Sequence, residues 1–300
     1  MPFGKVSNST KKSQSLMSRA KSGTEKKQHS FVSVLDIGLS GSGKTSHCVG
    51  GRYTTLNENG KTVEVEIQPF KLPMFVIDIG RGASENILTW DDETLEKFTI
   101  FEPDQVDEIL EVMQEVIENN KAYDNIENNE DTEETPEMRY NTVLLDDVDY
   151  IWNMLKSNLT IAKSKSQKID IVKSVSSGNL KNPSKMKLEG TEYTPASTVW
   201  LKFKELLYRL QSYANVYATS GADINTWDTS KGNTLTPFVR SDLKFAFDIW
   251  GYSGVDKQTI KNSGQYRKYY FTVERARGSI SGITIYDFSY DKLMKQLKRQ

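Results

Sequence analysis

Residues 31–46 read FVSVLDIGLSGSGKTS. Phe31, Val32, Val34, Leu35 and Ile37 make a short, mostly apolar run, the pattern of a strand buried on both faces. The run leads into Gly38-Leu39-Ser40-Gly41-Ser42-Gly43-Lys44-Thr45, which fits G-x-x-x-x-G-K-[ST], the pattern of a phosphate-binding loop. A triphosphate is highly charged and has to be held without bulky side chains in the way. Glycines let successive backbone N–H groups curl round the β-phosphate as an anion nest, and a helix starting near Lys44 adds its positive end. Lys44 is expected to reach the β- and γ-phosphates, and the Thr45 hydroxyl to coordinate Mg²⁺. With Ser46, the candidate ATP-binding segment runs from Gly38 to Ser46. The bland reading, a glycine-rich turn with an accidental lysine, does not explain the apolar strand directly before it. Gly50-Gly51 are poor helix-interior residues, so the helix after the loop is either short or closely packed against something.

A phosphate loop needs a carboxylate for the metal, at the end of a neighbouring strand. Thr142-Val143-Leu144-Leu145-Asp146-Asp147 supplies one. Asp146 is the expected Mg²⁺ partner, directly or through water; the alternative is that it caps the next helix. Hydrolysis also needs a group that orients the attacking water. The candidates are Asp147, directly after Asp146, and Asp78, which ends the strand MFVID; either can instead be a cap.

Around these motifs, apolar strands alternate with helices. Residues 62–70 alternate apolar and acidic, a half-exposed strand in a hairpin turned at Asn57–Gly60. Met74–Ile79, Phe98–Phe101 and Thr142–Leu145 read as buried strands. Pro103-Asp104 opens a helix with Val106, Ile109, Leu110, Met113, Val116 and Ile117 on one face. Val199, Trp200, Phe203, Leu206, Leu207 and Leu210 mark a second amphipathic helix, and Asn215–Thr219 a further strand. Ser220–Phe238 reads as a polar loop. Phe245, Phe247 and Ile249, then Tyr269–Glu274 and Ile283–Phe288, alternate as antiparallel strands, and a basic helix over 290–299 ends the chain. The expected fold is α/β, three-layered, with a mostly parallel sheet and antiparallel strands at its C-terminal end.

Three segments stand out by charge. Residues 1–29 hold seven Lys/Arg against one acid, Glu25, which reads as a disordered basic arm ahead of a domain over 30–300. Residues 118–137 hold eight acids and one lysine, a solvated acidic loop within an insert over 118–139. Residues 156–190 hold eight lysines against Asp170 and Glu189, a loop-like basic insert. The net charge of −1 leaves any affinity for nucleic acid to such local patches. One cysteine, Cys48, excludes an internal disulfide, and with His29 and His47 it leaves no material for a zinc cluster. No membrane span and no secretory signal are expected, so the cytoplasm is the expected location, that of a host cell if the gene is viral.

The order of these features resembles the RecA-like ATPases. More narrowly, it resembles small RecA-like proteins of phages and archaeal viruses implicated in single-strand annealing and recombination. The residues carrying it are GLSGSGKT, FVIDIGRG, TVLLDDVDYIW, TVWLKFKELLYRL, NVYATSGAD, TPFVRSDLKFAFDIW and YYFTVERARG, over roughly residues 31–288. The resemblance implies a Mg²⁺-dependent ATPase that forms homo-oligomers and acts on single-stranded DNA. It implies a basic residue from a neighbouring subunit at the nucleotide, matched best by Arg275 and Arg277, with Arg240 a rival. It implies a polar sensor at the end of NVYAT, either Ser220 or Thr219. It also implies DNA-contacting loops, here 156–190 and 222–238, of which only the second has aromatics to stack on bases, Trp227 and Phe238. The family often has a catalytic glutamate after the strand matching MFVID; this chain has Asp78-Ile79-Gly80-Arg81, so Asp78 or Asp147 has to substitute. A P-loop motor or switch acting on proteins, and an ATP sensor with little turnover, are the competing readings.

Overall fold

The computed structural model describes residues 31–56, 61–127, 138–167, 187–225, 234–260, 264–276 and 281–297. The basic arm 1–29, the turn 57–60, most of the lysine-rich insert and the tip of 222–238 lie outside these residues.

The stretch quoted first forms β1, Ser33–Gly38, buried at every position. It sits in the middle of the main sheet because both of its edges are paired. On one side lies β7, Asn215–Asn225, and on the other β9, Ile249–Ile260, both parallel to it. Beyond β7 come β6 (Thr142–Asp146), β4 (Met74–Asp78) and β5 (Phe98–Phe101), all parallel. Beyond β9 come β10 (Gly264–Ala276) and β11 (Ile283–Tyr286), both antiparallel to their neighbours. The order is β11-β10-β9-β1-β7-β6-β4-β5, with β8 (Thr234–Pro237) antiparallel to β7. The fold is therefore mixed α/β, mostly parallel, with its antiparallel strands at the C-terminal end.

Side-chain alternation divides the sheet between two cores, as the two-residue strand period requires. Leu35, Ile37, Phe75, Ile77, Val143, Leu145, Val216 and Ala218 face one side. There they meet α4 (Val106–Glu127), α5 (Asp149–Ser166) and α6 (Thr194–Leu210). Val34, Met74, Val76, Leu144 and Tyr217 face the other side, where α1 (Lys44–Val49), α2 (Ala83–Ile87) and α7 (Tyr290–Leu297) pack. A short helix α3, Asp92–Leu95, lies between α2 and β5. Helices on both faces make three layers. In α6, Trp200, Phe203, Leu206, Leu207 and Leu210 are all buried, and each such side chain contributes roughly 1.5–3 kcal/mol.

The short helix expected after the loop is α1, which stops at Gly50. A Cβ at Gly50 would come within 2.7 Å of Ile67 O, Pro69 N and the Trp90 ring, so the close packing is present as well. The chain then turns into β2, Gly51–Leu56, which pairs antiparallel with β3, Thr62–Ile67, the expected hairpin.

Four expectations are corrected. Residues 118–127 of the acidic stretch continue α4, because Asn120 is buried and its amide ties that turn to Tyr140 O at 2.8 Å and Tyr213 O at 3.2 Å. The basic insert begins as helix up to Ser166, where Lys163 reaches Lys187 O at 2.8 Å and Glu192 at 2.7 Å. The expected loop 220–238 opens as strand, since β7 runs on to Asn225 and pairs back with β8 from Ala222↔Pro237. Phe245 and Phe247 precede β9: Leu243–Ala246 is one 3-10 turn, with Phe245 62% exposed and Phe247 buried, so their alternation was not that of a strand.

Candidate functional site

The loop between β1 and α1 lies at the C-terminal end of the central strand. Its tight curl shows in the Ser42 amide, which donates to Leu39 O at 3.2 Å. Gly43 has φ 89, a left-handed backbone that disfavours a side chain, and a Cβ there would also fall 2.5 Å from the Tyr269 ring. Lys44 folds back over the loop, with Nζ donating to Leu39 O at 3.3 Å.

Strands β6 and β7 bring side chains together beside Thr45. Its hydroxyl donates to Asp146 at 3.1 and 3.3 Å from the two carboxylate oxygens. Asp146 ends β6 and is 2% exposed. Between β1 and β6 stands β7, and it delivers Thr219, whose hydroxyl contacts Asp146 Oδ1 and lies 2.7 Å from Asp147 Oδ1. Of the two sensor candidates, Thr219 is therefore the one at the carboxylates. Ser220 points the other way along the strand and donates to Gly221 O at 3.2 Å. Burial, the charge of Asp147 and the charge of Asp78 push the Asp146 carboxyl up to about 7, against the hydrogen bonds from Thr219 and Thr45. Burial likewise raises Asp147, opposed by the Thr219 hydrogen bond and the Lys44 charge.

These groups are hard oxygen donors, two carboxylates and two hydroxyls, crowded where like charge is unfavourable. Such a set suits Mg²⁺, whose charge would offset the burial and the neighbouring negative charge that raise both acids.

Asp78 has a different task. It is fully buried, and its carboxylate accepts from the amides of Gly82, Ala83 and Ser84 at 2.9, 3.0 and 3.3 Å and from the Ser84 hydroxyl at 3.1 Å. It caps the start of α2, with Oδ2 taking three of these hydrogen bonds and Oδ1 one, whereas Asp147 lies beside Thr219. Gly80 makes room for Asp147: a Cβ at residue 80 would lie 3.2 Å from Asp147 Oδ2. Asp149, next along, accepts from the Gly221 amide at 3.0 Å.

Beneath the loop is a buried polar cluster. Asp36 of β1 accepts from His47 Nδ1 at 3.1 Å, from the Tyr217 hydroxyl at 2.6 Å and from the Ser253 hydroxyl at 2.5 Å. It ties α1 to β1, β7 and β9, and burial holds the Tyr217 hydroxyl well above its ordinary value.

The arginines fall elsewhere. Arg275 is exposed on β10, opposite Trp250 and 5.2 Å over Phe245. Tyr269, six residues back, is the β10 residue at the loop, so Arg275 lies roughly 20 Å along the strand from its own phosphate loop. Arg240 is packed over Trp152 at 4.2 Å and donates to Asp242 at 3.1 Å. Arg277 and Trp227 lie outside the described residues. Phe238 rests on Gly221, where a Cβ would come 2.7 Å from its ring, and is 54% exposed.

Fold and loop define a class by architecture: a mixed α/β protein with a G-x-x-x-x-G-K-T loop at the end of a central parallel strand. No protein-family model matches the chain, and no curated protein matches it. Among solved structures, the crystal structure of the RadB recombinase aligns with 85% of this chain and 86% of that one, at 13% identity and a TM-score of 0.40. Among the described residues no helix is long and apolar enough to cross a membrane.

The expectations from sequence gave neither Tyr269 nor Gly80 a place at the site. Tyr269 shares the alternation of Phe271 and Val273, but its meeting with Gly43 depends on strand register. Gly80 has no side chain to read.

Proposed function

We propose that this protein is a Mg²⁺-dependent, RecA-like ATPase acting on single-stranded DNA in recombination, annealing or replication. The observation that carries the reading is the convergence of Thr45, Asp146, Thr219 and Asp147 at the mouth of the phosphate loop. The backbone of Gly38 to Ser46 cradles the phosphates and Lys44 unfolds from Leu39 O to meet them. Thr45 and Asp146 would hold Mg²⁺, which when bound would neutralise phosphate charge. Asp147, given room by Gly80, orients water and accepts its proton.

DNA action is supported by Phe238, exposed on Gly221 beside Asp149, where a stacked base would bear on the strand that carries Thr219. Arg275, exposed and far from its own loop, would in a homo-oligomer serve a neighbour's nucleotide. A second reading, an ATP sensor with little turnover, is favoured by the capping of Asp78 and by the bare Gly80.

The test is ATP hydrolysis with and without single-stranded DNA, with Lys44→Ala as the blank. Stimulation by DNA is expected. Turnover indifferent to DNA, with no salt-dependent DNA binding, overturns the DNA reading. Binding without turnover selects the sensor.

A further inference from the structure

We infer that Tyr269 and Tyr53 form a platform for the base of the bound nucleotide, a purine ring. The inference rests on the reading of the loop as a nucleotide site. The two sides of that loop differ chemically. Asp146, Asp147 and Thr219 stand on the β6–β7 side of β1, so the metal-bound γ end of a triphosphate is drawn there. The nucleoside, at the other end of the phosphate chain, is directed to the opposite side of β1, towards β9 and β10.

Tyr269 waits on that side. In register, Gly38 pairs with Ser253 and Ser253 with Phe271, so Tyr269 rises two residues past the end of β1, level with the loop. By alternation its ring is on the same face as Phe271 and Val273, the face covered by α1, and it lies directly on Gly43. Tyr53, from the hairpin that follows α1, meets it edge to face, with ring centroids 5.0 Å apart and planes at 89°. The Tyr53 hydroxyl donates to Asp287 at 3.1 Å, which holds that ring in place. Both tyrosines are half-buried. Two perpendicular rings beside a phosphate nest, one of them held by Asp287, make an aromatic surface on which a planar base would pack at little conformational cost.

The probes are Mg²⁺ with ATP and Mg²⁺ with inorganic tripolyphosphate, titrated calorimetrically into the full chain. Wild type is expected to bind ATP more tightly than tripolyphosphate. Tyr269→Ala is expected to weaken ATP roughly 10- to 100-fold while leaving tripolyphosphate within about twofold. Tyr53→Ala should act in the same direction and less, and Tyr269→Phe should bind as wild type. An equal loss for both probes overturns the platform, because the ring would then only prop Gly43. No loss for ATP overturns it too. If wild type binds neither probe, the nucleotide reading itself has failed and the platform with it; tripolyphosphate bound as tightly as ATP removes the platform alone.

Discussion

The Thr219 hydroxyl stands between two carboxylates, in contact with Asp146 Oδ1 and 2.7 Å from Asp147 Oδ1, and has one proton to share between them. Thr45 also turns its hydroxyl towards Asp146. With no cation, this arrangement is relieved when a proton resides on Asp146, in keeping with a carboxyl pushed up to about 7.

A pH dependence follows for ligand binding. Mg²⁺ and the Asp146 proton compete for one carboxylate, so affinity for Mg²⁺ with ATP should rise as pH increases from 6 to 8. For the metal-free protein the sign is opposite. A carboxyl at about 7 when folded and about 4 when unfolded binds more protons in the folded state between those values, so stability falls as pH rises through that window. Thermal unfolding at pH 5.5 and pH 8, with and without Mg²⁺, checks both signs; a metal-free protein more stable at pH 8 would contradict this picture.

Asp147 and Asp78 should separate cleanly on substitution. Asp147→Asn is expected to keep ATP binding and lower turnover by about 10²- to 10⁴-fold. Asp78→Ala removes the partner of three amides and a hydroxyl at the start of α2, and is expected to cost about 2 kcal/mol of stability. Parallel denaturation and steady-state assays distinguish them. An Asp78→Ala protein of full stability with no turnover would return Asp78 to the chemistry.

Arg275 is predicted to act across subunits. Arg275→Ala should bind ATP but not turn it over, and Lys44→Ala should do neither. Mixed together, the two should regain activity, because the Lys44→Ala subunit supplies its arginine to the intact loop of the other. Sizing with a non-hydrolysable ATP analogue accompanies the assay. A strict monomer with and without the analogue refutes the idea.

Phe238→Ala should weaken single-stranded DNA binding by about 1–3 kcal/mol and leave ATP binding unchanged. Fluorescence anisotropy of a labelled oligonucleotide at two salt concentrations reads this. Unaltered DNA affinity would move the contact off this strand end.

Local chemistry was legible in residues 31–46 and 142–147. A run of apolar residues before glycines, lysine and threonine can do few things, and its meaning does not depend on distant partners. The parallel strands and the helices with Trp200 or Ile109 on one face were legible for the same reason, since period and burial are properties of a short window. Errors came where the deciding contact was remote. Asn120 keeps an acidic segment helical through Tyr140 and Tyr213, and Phe245 and Phe247 alternate without forming a strand. The difference between Asp78 and Asp147 was closed to the sequence as well. Both are carboxylates at strand ends, and only the placement of the α2 amides around Asp78 and of Thr219 beside Asp147 tells them apart. The loop's glycines and lysine follow from covalent geometry and charge. Which residues face them is set by strand register and order, and those arise from packing the whole sheet at once.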